Sequence, residues 1–221
     1  MVKSTSRPEL PELPAKAVHA VVLAAGGSRR LGRPKQLVEL DGRSLLRRAV
    51  EIALAADVAS VTVVLGARED AMAPELAGLA VRIVHNPDWQ TGMGSSIRCG
   101  VRSLGQLGEA DGILFLLCDQ LRLSTEHLNR MITVFRERGG ADGQGDSEDG
   151  AAIVASGYAG TAGVPALFAP MFRGELSHLA DTQGGKQLLA QHARHVHVVP
   201  LDGGELDLDT AEDLRRAQAK S

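Results

Sequence analysis

The stretch that decides the fold is Val18–Lys35, which reads VHAVVLAAGGSRRLGRPK. It opens on an apolar run, Val18–Ala24, that is interrupted only by His19, and a glycine cluster beginning at Gly26 follows at once. A short apolar run ahead of glycines is typical of a buried parallel strand that ends in a tight loop. The stretch therefore predicts an α/β fold in which this strand carries a loop at its carboxyl end.

The loop has the composition of a polyphosphate site. Glycines lack a Cβ atom, so the backbone can come close to a ligand and aim its N–H groups at it. Three cations, Arg29, Arg30 and Lys35, follow within ten residues of Gly26. Backbone donors and positive charge at the carboxyl end of a strand favour phosphate binding. A glycine turn with solvated surface arginines stays open as the alternative.

Two well-known phosphate loops do not match this stretch. The spacing of Gly27 and Gly32 fits the start of a Walker loop, but Arg33-Pro34 stands where that loop requires Lys-Ser/Thr. The dinucleotide fingerprint G-x-G-x-x-G is also absent from the stretch.

Composition limits the functional classes. The chain has 221 residues, a length that suits one large α/β domain. A net charge of −3 gives no electrostatic support for binding nucleic acid or a membrane surface. No apolar run approaches the roughly 20 residues that span a bilayer. Cys99 and Cys118 are far apart and lack C-x-x-C spacing, which favours reduced thiols in a cytoplasmic protein.

The expected organisation is a single domain over residues 17–221. Residues 1–16 carry three prolines and no apolar signal-peptide core, so we expect a flexible tail there. Residues 139–150, GGADGQGDSEDG, predict a disordered acidic insert. Between these segments, apolar strand-like runs alternate with helical patterns, as in the helix predicted after the N-cap Ser44. This alternation predicts a mostly parallel central sheet with helices on both faces.

A second loop, in the segment Asn86–Leu104, combines small and polar residues. Gly92 and Gly94 predict a flexible turn that approaches a ligand, and Ser95-Ser96 are candidate caps of the helix that follows. Trp89 is the only tryptophan of the chain. Two interpretations of Trp89 stay open: it pins the loop to the core, or it has a functional role.

Acidic residues occur at two positions where a metal could bind. Asp119 follows the apolar run ILFLLC, so we expect it at the tip of a central strand, facing the ligand crevice. One or two carboxylates with phosphate oxygens suffice for Mg²⁺. The alternative for Asp119 is a turn or helix cap. Near the C-terminus, Asp207 and Asp209 share one face if the segment is extended, although Thr210 and Asp213 also have the spacing of a capping box.

Six segments resemble the molybdenum cofactor (molybdopterin) cytidylyltransferase family of MobA-like nucleotidyltransferases. Leu23–Lys35 is similar to L-A-A-G-x-S-x-R-x-G-x-x-K, and Asn86–Ser96 to N-P-x-W-x-x-G-M-x-S-S. Asp119-Gln120 matches Asp-Gln-Pro except that Leu121 replaces the proline. Weaker similarities are those of Tyr158–Phe168 to Y-x-G-x-x-G-x-P-x-L-F, of Leu179–Leu189 to L-x-G-D-x-G-A-R-x-L-L, and of Asp207–Leu214 to D-I-D-T-P-E-D-L.

The resemblance implies a Rossmann-like nucleotidyltransferase fold and transfer of CMP from CTP to the terminal phosphate of molybdopterin, with release of pyrophosphate. Arg30, Lys35 and Asp119 are the implied catalytic residues, and Asp119 and Asp209 the implied Mg²⁺ ligands. The nucleotide-binding residues expected on this basis are Leu23, Ala24, Ala25, Gly26, Gly27, Ser28, Lys35, Gly92, Ser95 and Ser96.

The acceptor, molybdopterin or the molybdenum cofactor, is expected at Gly163, Pro165 and Lys186. Ala180 and Lys186 depart from the family pattern, which has Gly and Arg at these positions. Lysine keeps the positive charge but lacks the planar guanidinium, which can bind a phosphate through two hydrogen bonds. An apo-molybdoenzyme or its chaperone is a further partner that the resemblance implies.

The sequence leaves alternatives open for the nucleotide base and for the class of reaction. Leu-Ala-Ala-Gly at Leu23–Gly26 is similar to CTP-using relatives, whereas guanylyl enzymes have Leu-Ala-Gly-Gly, so Ala25 favours cytosine. A few relatives of the same family are NAD(P)H-dependent oxidoreductases that act on a pigment from nicotine breakdown. Such an enzyme would need no acidic metal pair. The third alternative is a non-catalytic carrier of nucleotide or molybdenum cofactor.

Overall fold

The computed structural model describes residues 17–28, 33–105, 110–138, 152–208 and 213. Two residues of the expected site, Arg30 and Asp209, lie outside these ranges, as do the expected tail and acidic insert. Within them, no helix is both long enough and apolar enough to cross a membrane.

A seven-stranded sheet forms the centre of the described structure. The first half of the chain contributes β1 (Val18–Leu23), the short strands β2 (Glu39–Leu40) and β3 (Arg43–Ser44), α1 (Leu45–Leu54), β4 (Ser60–Leu65), α2 (Glu69–Met72), β5 (Arg82–His85), α3 (Met93–Leu104) and β6 (Gly112–Leu117). The second half contributes α4 (Thr125–Glu137), β7 (Ile153–Tyr158), β8 (Thr161–Phe168), α5 (Arg173–Ser177), α6 (Gly185–Gln191) and β9 (Val196–Pro200).

The strand order is β5-β4-β1-β6-β8-β7-β9. β1 lies between β4 and β6 and runs parallel to both. β8 is antiparallel to both of its neighbours, β6 and β7, while β9 is parallel to β7. Six of the seven strands therefore point in one direction, which confirms the predicted mostly parallel sheet. The carboxyl ends of β1, β4, β5 and β6 meet at one edge, where α/β sheets bind their ligands.

Both faces of the central strands are covered. Every residue of β1 is buried, and successive side chains of a strand point to opposite faces. On one face α3 packs so closely that a Cβ at Gly100 would lie 2.6 Å from the Cγ1 atom of Val21. Leu46, Val50 and Ala53 of α1 belong to the same core. Apolar burial on both faces accounts for the continuous apolar runs that predicted these strands.

The predicted helix starts are partly right. Ser44 caps α1, since its hydroxyl accepts a hydrogen bond from Arg47 N over 3.2 Å. The sequence pattern of residues 69–79 predicts one short helix, but the structure has α2 followed by a 3-10 turn, Ala73–Leu76, which contains Pro74. Proline lacks the N–H that a continuous helix would need at this position.

The predicted capping of α3 by Ser95-Ser96 is wrong. α3 begins at Met93 with Gly92 as its N-cap, and no side chain caps it. Both serines lie inside the first turn and are buried. Their hydroxyls are hydrogen-bonded to a neighbouring loop, which places them among the supports of the site.

Candidate active site

The glycine loop that follows β1 is held from below by a buried glutamine. Gln36 is 1% exposed, and its Nε2 atom donates to Ala24 O over 2.9 Å and to Gly26 O over 2.7 Å. Ser28 donates to Gln36 Oε1 over 3.1 Å and accepts from Lys35 N over 2.9 Å. The loop thus has a fixed backbone, while Gly26 remains exposed and a Cβ added there would meet nothing within 4 Å.

Lys35 and Asp119 form an ion pair between the carboxyl ends of β1 and β6. Lys35 Nζ donates to Asp119 Oδ2, and the side chains are 24% and 5% exposed, respectively. The pair lies beside the glycine loop, because Lys35 N donates to Ser28 Oγ at the end of the described loop. A half-buried ammonium next to exposed backbone donors is suited to a phosphate group.

The second oxygen of Asp119 fits an oxygen ligand of a hard cation. Asp119 Oδ1 is buried and has no hydrogen-bond partner among the described residues. Buried polar atoms without a hydrogen-bond partner are uncommon and often mark an ion or water site. Mg²⁺ takes carboxylate oxygens together with phosphate oxygens. The chemistry of this donor is therefore compatible with a divalent cation.

An acidic C-terminal segment reaches Asp119. Asp207 pairs with Gln120 in an antiparallel bridge, and Leu208 N donates to Asp119 O over 3.3 Å. Asp209, the expected second metal ligand, directly follows Leu208 in the sequence but lies outside the described residues. In the described ranges, no group of three or more His, Cys, Asp or Glu residues is placed to hold a metal ion.

Cys118 precedes Asp119 but is not suited to bind a metal. Burial and, after it, the Asp119 carboxylate together raise the pKa of the Cys118 thiol to about 12. A thiol that stays protonated is a poor metal ligand because the thiolate is the binding form. The candidate ligands of this region are therefore carboxylates.

A cleft of about 270 Å³ opens on the other side of the glycine loop. It is lined by Gly26, Gly27, Pro34, Gly66, Ala67, Arg68, Met72 and Trp89. The Trp89 indole covers two glycines, since a Cβ at Gly27 would lie 3.0 Å from Trp89 Cζ3 and one at Gly66 would lie 2.6 Å from Trp89 Cβ. Trp89 packs on the loop and the core, which confirms the first interpretation. It also lines the cleft, and its functional role stays a prediction.

The serines of α3 support the Trp89 loop. Asn86 is 2% exposed, and its Nδ2 atom donates to Ser95 Oγ over 2.9 Å and to Ser96 Oγ over 3.1 Å. Asn86 Oδ1 in turn accepts from Asp88 N over 3.0 Å. These contacts fix the turn that carries Trp89. Both serines are buried, so they support this loop through hydrogen bonds and present little surface to solvent.

Gly92 and Gly94 approach another part of the protein. A Cβ at either position would lie well under 3.0 Å from a backbone oxygen, that of Asp181 for Gly92 and that of Ala180 for Gly94. Gly94 N donates to Asp181 O over 3.1 Å. The turn expected to approach a ligand through its glycines therefore docks onto Leu179–Lys186, which we call the acceptor segment.

Arg98 of α3 adds side-chain contacts to this docking. Its guanidinium donates to Leu179 O and to Asp181 Oδ1. The hydrogen bond from Arg98 lowers the pKa of the Asp181 carboxyl, and a bond from Thr91 contributes in the same direction.

The other expected acceptor residues, Gly163 and Pro165, lie near the acceptor segment. Gly163 is buried beneath the Tyr158 ring, whose hydroxyl donates to Val164 O over 3.2 Å. Gln120 Nε2 donates to the same carbonyl over 2.6 Å, and the Val164–Pro165 peptide bond is cis. A Cβ at Gly185 would lie 3.5 Å from Val164 Cγ1, so the first turn of α6 covers this turn.

Pro165 and Lys186 have different exposure within this group. Pro165 is buried and its carbonyl accepts from Ser156 Oγ over 3.0 Å. Ser156 Oγ also lies 2.8 Å from Nε2 of the buried His127. Lys186 lies in the first turn of α6 and is exposed. Of the three expected acceptor residues, only Lys186 presents its side chain to solvent, whereas Gly163 and Pro165 shape the backbone beneath it.

Sequence reasoning missed Gln36, Arg98 and Tyr158. A signal existed for Gln36, because it is a polar residue next to Lys35 at the end of the loop motif. Tyr158 lay inside a motif without a role of its own, and its ring also packs on Gly204 of the acidic C-terminal segment. No local pattern indicates Arg98, since its partner lies 83 positions away.

Comparisons with known proteins identify the family of this chain. The model of the MobA-like NTP transferase domain matches residues 20–196. The purine catabolism protein PucB of Bacillus subtilis is 30% identical over 217 residues, which cover 90% of this chain and 96% of PucB. The nicotine blue oxidoreductase of Paenarthrobacter nicotinovorans is 38% identical over 120 residues, and the chain spans only 57% of that relative's length.

A solved structure supports the same assignment. The crystal structure of Rv0371c from Mycobacterium tuberculosis superposes with a TM-score of 0.77 at 30% identity, covering 94% of this chain and all of that one. A second structure of Rv0371c is a complex with manganese, with a TM-score of 0.72 at 27% identity and coverage of 93% and 100%. The family model and the similarity to PucB show that this chain belongs to the MobA-like NTP transferase family.

Proposed function

We propose that the protein transfers CMP from CTP to the terminal phosphate of molybdopterin, with Mg²⁺ as the metal and pyrophosphate as the second product. One observation carries the proposal. The Lys35–Asp119 pair lies beside an exposed glycine loop, and Asp119 keeps a buried oxygen without a hydrogen bond among the described residues. That arrangement joins phosphate donors with a cation ligand in one crevice.

The chain's own groups position the triphosphate. Backbone N–H groups of residues 25–28 donate to phosphate oxygens, and Gln36 keeps the loop open for them. The Lys35 ammonium exchanges its contact with Asp119 for a contact with phosphate and so neutralises charge as the bond to the leaving pyrophosphate breaks. Nucleotidyl transfer depends on such positioning and charge neutralisation more than on acid–base groups. Arg30 is proposed to add positive charge on the same side.

Asp119, together with Asp209, is proposed to hold the metal. When bound, Mg²⁺ would neutralise phosphate oxygens and orient the leaving group. The manganese complex of Rv0371c supports a divalent cation in a related chain. Asp207 helps to place this segment, because its bridge with Gln120 joins the C-terminal acids to the Asp119 loop.

CTP is the proposed nucleotide because of the Leu-Ala-Ala-Gly sequence. Ala25 is 3% exposed, and a Cβ at Gly66 would lie 3.0 Å from the Ala25 methyl. The methyl therefore fills space behind the cleft and limits how far a larger base can enter. We propose that the Trp89 ring and the glycines under it bound the base, and that Gly92, Ser95 and Ser96 act indirectly by fixing the Trp89 loop.

A second candidate is an NAD(P)H-dependent oxidoreductase. The identity of 38% to the nicotine blue oxidoreductase favours it, although the match covers 54% of this chain. Such an enzyme has no need for a buried carboxylate oxygen directed to a cation. The metal dependence of nucleotide binding therefore separates the two candidates.

Product analysis tests the proposal. Purified protein is incubated with molybdopterin, Mg²⁺ and either CTP or GTP, and pyrophosphate and the dinucleotide product are quantified. We expect transfer with CTP, and a loss of turnover of about 100-fold or more in Lys35→Ala and in Asp119→Asn. The exposed Arg43→Ala is the matched control and should keep wild-type turnover. Near-normal turnover in both site variants would overturn the mechanism, and absence of CTP-dependent transfer would overturn the function.

A further inference from the structure

A side chain of α3 joins the two halves of the candidate site. Arg98 projects from α3, which also carries the turn beneath Trp89, and it donates to two acceptors in the acceptor segment, Leu179 O and Asp181 Oδ1. Its side chain is only 20% exposed. The contact spans more than 80 residues of sequence and connects the nucleotide side to the acceptor side.

The geometry of this contact is specific to arginine. A guanidinium presents several N–H donors in a rigid plane, so it can bind a carbonyl and a carboxylate together. Hydrogen bonds to ionised groups are stronger than neutral ones. Gly92 and Gly94 remove the side chains that would keep the two backbones apart. The close backbone approach and the guanidinium therefore act on the same few residues, Ala180 and Asp181.

The acceptor segment leads directly to Lys186. Asp181 is followed by a turn in which Gln183 N donates to Ala180 O over 3.0 Å and Ala180 N donates to Gln183 Oε1 over 3.0 Å. α6 begins two residues later, at Gly185. A shift of the backbone at Asp181 is therefore transmitted through a short, hydrogen-bonded turn to the exposed ammonium of Lys186.

We propose that Arg98 is a positioning residue that sets the place of the acceptor segment, and with it Lys186, relative to the nucleotide. It acts through Leu179 and Asp181 and contacts neither substrate. The kinetic part of this inference rests on the proposed function, whereas the structural part does not. The groups proposed to bind the phosphates of CTP, namely the glycine loop, Lys35 and Asp119, make none of their described contacts through Arg98.

Two measurements on three variants test the inference. Arg98→Met removes the donors, Arg98→Lys retains the charge and one donor group, and Arg102→Met is the matched control. Arg102 lies one turn further along α3 and is exposed. Hydrogen exchange is followed in peptides that cover residues 179–186, and KM for molybdopterin, kcat and the Kd of Mg·CTP are measured for each variant.

We expect Arg98→Met to speed exchange across 179–186 by about tenfold and to raise KM for the acceptor by a similar factor. The Kd for Mg·CTP should change by less than about twofold. Arg98→Lys should recover part of both effects, and Arg102→Met should show neither. Unchanged exchange at 179–186 in Arg98→Met, or a loss of CTP affinity as large as the change in KM, would overturn the proposal.

The exchange measurement keeps the two proposals distinguishable. If the wild-type protein transfers no CMP to molybdopterin, the proposed function fails, but exchange at 179–186 still reports whether Arg98 holds the segment. If transfer occurs and Arg98→Met leaves exchange and KM unchanged, the positioning role fails alone.

Discussion

The two glycine-containing loops of the site differ in what their glycines face. At Gly26 a Cβ would meet no atom within 4 Å, so the backbone lies open to the crevice. At Gly92 and Gly94 a Cβ would collide with the carbonyl oxygens of Asp181 and Ala180. Both loops end in glycine-rich turns at the same edge of the sheet, yet one is open to a ligand and the other is closed on the protein.

This difference separates two reasons for glycine at a site. In the first loop glycine leaves room that a phosphate can use, and the protein fixes the backbone from behind with Gln36. In the second loop glycine allows two backbones to touch, and Arg98 reinforces the contact. Substitutions in the first loop should therefore affect ligand binding, and those in the second should affect folding.

The largest expected effect is on folding and comes from Gly94→Ala. The added methyl group would collide with a backbone oxygen, which cannot move away as a flexible side chain can. We expect the free energy of unfolding to fall by about 3 kcal/mol or more, measured by urea denaturation. A loss below about 1 kcal/mol would show that the acceptor segment is free to retreat, and would contradict the closed description of this loop.

Acid should destabilise the fold through the buried His127, which lies beneath the acceptor side. Burial and then Arg130 lower the pKa of His127 to about 4 from 6.5, and His127 contacts Ser156 beneath Pro165. Below pH 6.5 the unfolded chain takes up a proton at this histidine and the folded protein does not, so stability falls until about pH 4. The contribution reaches about 3 kcal/mol.

The pH effect is measured as a slope. The free energy of unfolding is determined between pH 4 and pH 7 for the wild-type protein and for His127→Gln, which removes the titrating group. The variant should lose stability less steeply as the pH falls, whatever its stability at pH 7. Equal slopes for the two proteins would rule out His127 as the source.

The smallest expected change in stability comes from Gly26→Ala. Because the methyl group meets no protein atom, the free energy of unfolding should change by less than about 1 kcal/mol. The same methyl occupies the space proposed for phosphate, so the affinity for Mg·CTP should fall by about tenfold or more. Calorimetry with CTP measures the second effect. Unchanged affinity would mean that the ligand does not approach this loop.

Much of the fold was predictable from the sequence because burial and chain order leave strong local patterns. β1 and β6 are continuous apolar runs, which is typical of strands covered on both faces. The place of Asp119 at the carboxyl end of β6 was predictable for the same reason, because it comes shortly after this apolar run in the sequence. The α/β alternation then indicated the parallel order of the first half.

Contacts between distant segments were not predictable. Ser95 and Ser96 have the composition of helix caps, but Gly92 occupies the cap and the serines bind Asn86 instead. The partners of Gly94 and Arg98 lie more than 80 residues away. Such pairings depend on how the acceptor segment folds back, and no local pattern in either segment contains that information.

Calorimetric titration with Mg·CTP tests the central claim most directly. The claim is that Lys35, Asp119 and the glycine loop form one metal-dependent nucleotide site. We expect CTP to bind the wild-type protein only when Mg²⁺ is present, with NADPH silent, and Asp119→Asn to weaken CTP binding by about tenfold or more. Metal-independent binding of NADPH without binding of CTP, or unchanged CTP affinity in Asp119→Asn, would contradict it.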